Sequence, residues 1–142
     1  MEDLFERHYP FHENSFLDEN ELGIFHEAKK QLMDYVPWQY VVGKADFYGL
    51  KFFVNPSVLV PRPETEELVS IILNEQKGAK KVLDIGTGTG CIAISLAKNS
   101  AFELEAIDVS AQALEIAQKN NLTNGTAVQF NQVNILNYQQ YK

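Results

Sequence analysis

Leu22, Phe25, Ala28, Leu32, Met33 and Val36 recur at the three- and four-residue spacing that places side chains on one face of a helix. Asp18, with Glu21 three residues later, supplies the expected helix start, and Pro37 the expected stop. Lys44 to Tyr48 and Leu50 to Val54 are rich in strand-favouring residues and flank Gly49, which predicts a β-hairpin within the stretch 37–57. A second helix follows, with Pro63 suited to its first position. Glu64, Glu66 and Glu67 complement the positive dipole end of its first turn by ~0.3–1 kcal/mol each, and Leu68, Val69, Ile71, Ile72 and Leu73 form the face expected to be buried. Residues 74–80 read as a polar loop.

From Lys81 onward the apolar positions fall into short runs separated by turn residues. Val82, Leu83 and Ile85 read as a strand buried in a parallel sheet, and Cys91 to Ala97 as an apolar helix. Phe102 to Ile107 is a second strand, Ser110 caps a helix over 111–120, Asn124-Gly125 marks a turn, and Val128 to Val133 is a third strand that ends at Asn134. Residues 1–16 carry scattered aromatics without a period and read as weak helix or loop; residues 135–142 show no pattern. The alternation of strand and helix predicts an α/β fold with a parallel sheet.

The stretch from Asp84 to Gly90 carries the chemistry. Gly86, Gly88 and Gly90 stand at alternate positions between a strand and a helix, where they allow a tight turn and a close approach of the backbone to a ligand. The helix that starts after Gly90 aims its free N–H groups at the same place. Gly88, Gly90 and Ala93 satisfy the dinucleotide pattern G-x-G-x-x-A. In a dinucleotide site, however, the strand runs directly into the first glycine of the motif, whereas here the pattern in use is D-x-G-x-G-x-G. Asp84 is the second discriminator: a fixed carboxylate attracts an ammonium and a sulfonium and repels a pyrophosphate. The expected cofactor is S-adenosylmethionine. Asp108, 18 residues after Gly90 at the end of the second strand, suits a pair of ribose hydroxyls, with a helix N-terminal acid as the alternative role.

Composition narrows the classes further. The chain has 142 residues, 45% of them hydrophobic, enough for one ordinary domain. Its net charge of −7 argues against a broad nucleic-acid surface. No leader and no membrane-spanning run is evident, and the single cysteine, Cys91, excludes an internal disulfide; both fit the cytoplasm. Cys91 reads as a small packing residue. His26-Glu27 begins a zinc-like H-E-x-x-H, but Lys30 occupies the place of the second histidine, and no metal is implied by His8, His12 or His26.

Three motifs in this order, Pro37-x-Gln39-Tyr40-x-x-Gly43, Pro61-Arg62-Pro63-Glu64-Thr65-Glu66 and Asp84-Ile85-Gly86-Thr87-Gly88-Thr89-Gly90, closely resemble the release factor glutamine methyltransferases, the HemK family, over about 37–134. The resemblance implies an incomplete class I methyltransferase Rossmann-like sheet of three parallel strands preceded by a helix and a β-hairpin. Its implied organisation is a partial N-terminal helical region at 1–36, a hairpin connector at 37–57 and a truncated S-adenosylmethionine-binding domain at 58–142. It further implies that Gly86, Thr87, Gly88, Thr89 and Gly90 line the methionine end of the cofactor, that Asp84 stands beside them, that Asp108 binds the ribose, and that Arg62 to Glu66 lie over the cofactor side of the sheet. Asn134 stands where the family commonly has an aspartate near the adenine amino group; its amide oxygen can still accept, without the charge. The implied reaction is methylation of the side-chain amide nitrogen of the Gly-Gly-Gln glutamine in peptide chain release factors, with no metal and no membrane.

The family's Asn-Pro-Pro-Tyr catalytic loop does not occur in these residues. Asn55-Pro56 is the only Asn-Pro, and with Ser57-Val58 after it reads as a turn, so no catalytic residue is assigned. A fragment of a longer protein, or a truncated product, is expected, with Val82 to Ile85 as an unpaired apolar edge that invites self-association. A ribosomal-protein glutamine as substrate, and a non-catalytic S-adenosylmethionine-binding or interaction module, are the alternatives. A nucleic-acid amino-methyltransferase and a dehydrogenase rank below them.

Overall fold

The computed structural model describes residues 18–75, 78 and 81–137; the expectations for 1–16 and most of the loop 74–80, and His8 and His12, lie outside them. The chain divides into two compact units, 1–43 and 44–142, so the hairpin belongs with the sheet.

In the first unit, helix α1 (Glu19–Met33) opens with the expected capping box. Glu21 N–H donates to Asp18 Oδ1 at 2.8 Å, and Asp18 N–H to Glu21 Oε2 at 3.0 Å. The stop differs from expectation. Tyr35 N–H donates to Leu32 O and Val36 N–H to Gln31 O, with Tyr35 at φ 61°. This is a Schellman ending one turn ahead of Pro37, with tyrosine where glycine is usual. None of the residues of α1 is buried. After Pro37 the chain forms a short helix, α2 (Trp38–Val42), closed by Gly43 in the left-handed region. Its two aromatics and two valines, all strand-favouring, concealed it within the stretch read as a hairpin connector, while Gly43 supplies the left-handed exit.

The second unit begins with the predicted hairpin, β1 (Lys44–Phe47) paired antiparallel with β2 (Leu50–Phe53). Tyr48 and Gly49, at φ 49° and 72°, make the two-residue turn. Asn55-Pro56 is the turn it was read as: Asn55 Oδ1 accepts from Ser57 N–H, and Asn55 O from Val58 N–H. Helix α3 (Glu64–Glu75) follows, then β3 (Lys81–Ile85), α4 (Cys91–Asn99), β4 (Glu103–Asp108), α5 (Ala111–Asn124) and β5 (Gln129–Gln132). Ser110 Oγ caps α5 by accepting from Ala113 N–H at 3.2 Å. The sheet order is β3-β4-β5, all parallel, so β3 is an edge among the described strands, as anticipated.

The core lies on one side of this sheet. Leu104, Ala106, Val82 and Phe130 meet Ala93, Ile94 and Leu96 of α4, Val69, Ile72 and Leu73 of α3, and Phe47 and Phe52 of the hairpin. Helix α5 packs against β4, β5 and β2. Two expectations are corrected by this one-sided packing. Leu83 and Ile85, read as buried, are about half exposed, because they alternate with Val82 onto the face opposite the α3–α4 core. In α3, Leu68 and Ile71 are likewise exposed while Val69 is fully buried. An apolar run longer than the contact stripe cannot all face one way.

Candidate functional site

The carboxyl ends of β3 and β4 are joined by main-chain bonds before any side chain acts. Gly86 and Thr87 both donate their N–H groups to Ile107 O, at 2.8 and 3.0 Å, and Gly90 N–H closes the turn on Thr87 O at 2.9 Å. Gly86, Gly88 and Gly90 all have positive φ, at 77°, 55° and 80°. Their surroundings differ. A Cβ on Gly86 or Gly88 would meet nothing within 4 Å, whereas one on Gly90 would lie 2.8 Å from Ile94 Cδ1 and 3.3 Å from Ala117 Cβ. The first two keep open space in front of the loop, and the third lets α4 and α5 close behind it.

The intervening threonines turn inward. Thr87 and Thr89 are buried, and the Thr87 hydroxyl donates to Asp84 Oδ2 at 2.7 Å. Burial lifts the Asp84 carboxyl above its ordinary value; the Thr87 hydroxyl and a backbone bond at Ala93 oppose this, and the Asp108 charge adds to it. Burial likewise pushes the Cys91 thiol up, partly offset by a bond with Thr89, which keeps the thiol neutral and fits its reading as a packing residue.

Asp108 connects the loop to the next unit. Its Oδ2 accepts from Gly88 N–H at 2.9 Å and its Oδ1 from Ser110 N–H at 2.9 Å. A carboxylate has about four lone-pair positions, so two acceptor sites remain. Both roles read for this residue, ligand acceptor and helix-entry acid, are thus compatible in one side chain. Asp108, Gly86 and Asn134 border one cleft of about 350 Å³, walled by Ile85, Ile107, Val109, Val133, Ile135 and Leu136. Apolar walls with a carboxylate at the rim fit a nucleoside: a flat base between aliphatic groups and hydroxyls on the acid. Asn134 is partly committed, since its Oδ1 accepts from Leu136 N–H at 3.0 Å. A larger concavity, about 710 Å³, runs along Lys81 to Leu83 and Glu103 to Glu105. None of the loop residues lines it, so size does not mark the site.

A residue that the sequence reading missed lies directly behind the loop. Asn120 is fully buried, and its Nδ2 donates to Thr89 O at 2.9 Å. Ala113, Leu114, Ala117 and Asn120 are the buried positions of α5. An amide on that apolar stripe is the signal that could have found it.

The sequence profile of the Methyltransferase small domain family matches residues 63–142. The chain belongs to that family. Membership in a methyltransferase family favours S-adenosylmethionine over a dinucleotide, as Asp84 had suggested. The resemblance carried by the three motifs is supported as well. The chain is 48% identical over 129 residues to a release factor glutamine methyltransferase of Flavobacterium psychrophilum, covering 84% of this chain and 44% of the relative. It is 56% identical over 86 residues to one from Bacteroides thetaiotaomicron, covering 60% and 31%. The chain thus spans less than half the length of these curated relatives. Among solved structures, the tRNA (uracil-54, C5)-methyltransferase of Pyrococcus abyssi in complex with S-adenosyl-L-homocysteine superposes with a TM-score of 0.53 at 23% identity, over 62% of this chain and 22% of that one. That likeness establishes the methyltransferase fold.

Asp84→Asn separates charge from shape in this methyltransferase loop, since asparagine can still accept from Thr87. Because the folded carboxyl titrates above its ordinary 3.8, ionised Asp84 costs the fold stability. That cost is absent at pH well below 3.8 and grows as pH rises through the folded value. The variant should therefore melt higher than the parent at pH 7, with the gain fading in acid. Its dissociation constant for S-adenosylmethionine should rise about tenfold, about 1.4 kcal/mol, the size of one charge-assisted interaction. Thermal melts at pH 4 and 7 with calorimetric titration check both, and an unchanged affinity would remove Asp84 from the site.

Proposed function

We propose that this chain forms the cofactor-binding part of a cytoplasmic glutamine methyltransferase acting on peptide chain release factors. The observation that carries the cofactor half is the bond from Gly88 N–H to Asp108 Oδ2. It unites the glycine loop and the acid of the next strand at the rim of one apolar cleft. The names of the relatives support the substrate half.

In this reading Gly86 and Gly88 leave room for the methionine end and Asp108 accepts from the ribose. Ile85, Val133 and Leu136 enclose the base, with Asn134 at its edge. When bound, S-adenosylmethionine supplies a methyl group on a sulfonium. An amide nitrogen is a poor nucleophile because its lone pair is delocalised into the carbonyl, so the protein must act by orientation and by acceptors aimed at the amide N–H groups. The described residues contribute the first half of that task, a fixed donor. No general base is required, because the methylated amide can lose its proton after transfer.

Titration of the chain with S-adenosylmethionine and separately with NAD tests the cofactor, and binding of the first alone is expected. For the substrate, the protein that carries this chain is incubated with methyl-labelled S-adenosylmethionine and a release factor. Label is expected on the Gly-Gly-Gln glutamine and lost when that glutamine is replaced by alanine. Binding of NAD alone, or label that survives the replacement, overturns the respective half.

A further inference from the structure

We propose that Asn120 is a positioning residue for the cofactor loop and couples that loop to the β1–β2 hairpin, so that cofactor binding and hairpin order are linked. The inference rests on the cofactor reading above.

All of the hydrogen bonds made by the Asn120 side chain go to main chain. Phe53 N–H donates to its Oδ1 at 2.6 Å, and its Nδ2 donates to Phe53 O at 3.1 Å and to Thr89 O at 2.9 Å. One fully buried amide thus holds the end of β2 on one side and the glycine loop on the other. Only an amide fits these partners. A carboxylate would set acceptors against two carbonyls, and an alkyl group would orphan two carbonyls and an N–H.

The Thr89 carbonyl belongs to the same peptide plane as Gly90 N–H, and in a trans peptide the two point in opposite directions. Asn120 on the carbonyl side and Thr87 O on the N–H side therefore fix that plane. Thr87 O in turn shares its own peptide plane with the Gly88 N–H that meets Asp108, so the bond from Gly90 N–H to Thr87 O links the two planes. Asn120 is not among the residues that line the cleft, so its effect on a ligand passes through the loop.

The same helix grips the hairpin at two further points that do not involve the loop. Lys119 Nζ stands 3.5 Å from the centroid of the Phe53 ring, and Asn124 Nδ2 donates to Lys51 O at 2.9 Å. Asn124 Nδ2 also donates to Asn120 O at 2.9 Å, a main-chain contact one turn back on the helix, but makes no bond to the glycine turn, and Asn124 is therefore the control. Linkage is reciprocal. If a ligand orders the loop, it must also tighten the bond from Phe53 N–H to Asn120.

The test compares the parent chain with Asn120→Ala, Asn120→Asp and Asn124→Ala. S-adenosylmethionine affinity is measured by calorimetry at a temperature where circular dichroism shows each to be folded. Both positions should lower the melting temperature, but only the Asn120 variants should weaken binding, by about tenfold or more, one lost buried hydrogen bond to the loop. In the parent chain, which needs no variant to fold, adding S-adenosylmethionine should slow hydrogen exchange at Phe53 N–H beyond the slowing at the other hairpin amides. Asn120→Ala that melts lower yet binds like the parent, or a Phe53 amide that follows the rest of the hairpin, overturns the coupling and leaves the cofactor reading standing. A parent chain that does not bind S-adenosylmethionine overturns both.

Discussion

Gly90→Ala is expected to destabilise the folded chain by about 2–5 kcal/mol, whereas Gly86→Ala and Gly88→Ala should each cost only about 1–2 kcal/mol. All three residues have positive φ, at 80°, 77° and 55°, so each alanine carries the left-handed penalty. Only Gly90 adds a packing conflict. Its new methyl would stand 2.8 Å from Ile94 Cδ1, 3.3 Å from Ala117 Cβ and 3.4 Å from Phe130 Cζ. Ile94 is fully buried, so its Cδ1 has to move within packed surroundings, and the Ala117 methyl, fixed to the backbone of α5, has to give by a few tenths of an ångström. Both shifts cost packing energy between α4 and α5. Against the 5–15 kcal/mol of a typical domain the loss is large, and in a unit of about 100 residues it corresponds to a fall in melting temperature of more than about 10 °C. Urea unfolding of the three variants provides the check. Equal losses at all three positions would mean that the conflict behind Gly90 is relieved at no cost.

The same three glycines show what was legible in the sequence. Positive φ is a local demand, and a glycine at every second position between an apolar strand and an apolar helix reveals it without any knowledge of the fold. The hairpin around Gly49, the capping box at Asp18 and Glu21, and the Ser110 cap are local in the same sense, and all three lie where they were read, except that Tyr48, read as the end of a strand, joins Gly49 in the turn. The difference in what surrounds Gly86 and Gly90 was not legible, because it depends on Ala117 and Phe130, which only the tertiary fold brings near. Asn120 shows the same limit. Its place on the apolar stripe of α5 could be counted from the sequence, but its partner Phe53 lies 67 positions away and its partner Thr89 lies 31. Leu83, Ile85, Leu68 and Ile71 were misread for a related reason. Periodicity identifies apolar positions, but which face of a sheet or helix is covered depends on how many elements pack against it.

Asp108→Ala should have the largest effect on the ligand, weakening S-adenosylmethionine by about 100-fold or more. In the proposed ribose role, two hydroxyl-to-carboxylate bonds at about 1.5–3 kcal/mol each would be lost, and about 2.7 kcal/mol already corresponds to 100-fold. Part of the loss could come instead from the loop, because the carboxylate also accepts from Gly88 N–H and Ser110 N–H. A cycle separates the two contributions. The parent chain and the variant are each titrated with S-adenosylmethionine and with an analogue lacking both ribose hydroxyls. If Asp108 holds the ribose, removing the hydroxyls weakens binding strongly in the parent and little in the variant, because the interaction is already gone. If Asp108 only anchors the loop, the two losses add. Asp108→Asn refines the result: with one carbonyl oxygen for two backbone donors it sets its NH2 group against one of them, so its melting temperature should fall even where some affinity survives. Additive losses in the cycle would transfer the ribose role away from Asp108 and leave it as the acid that ties the glycine loop to the start of α5.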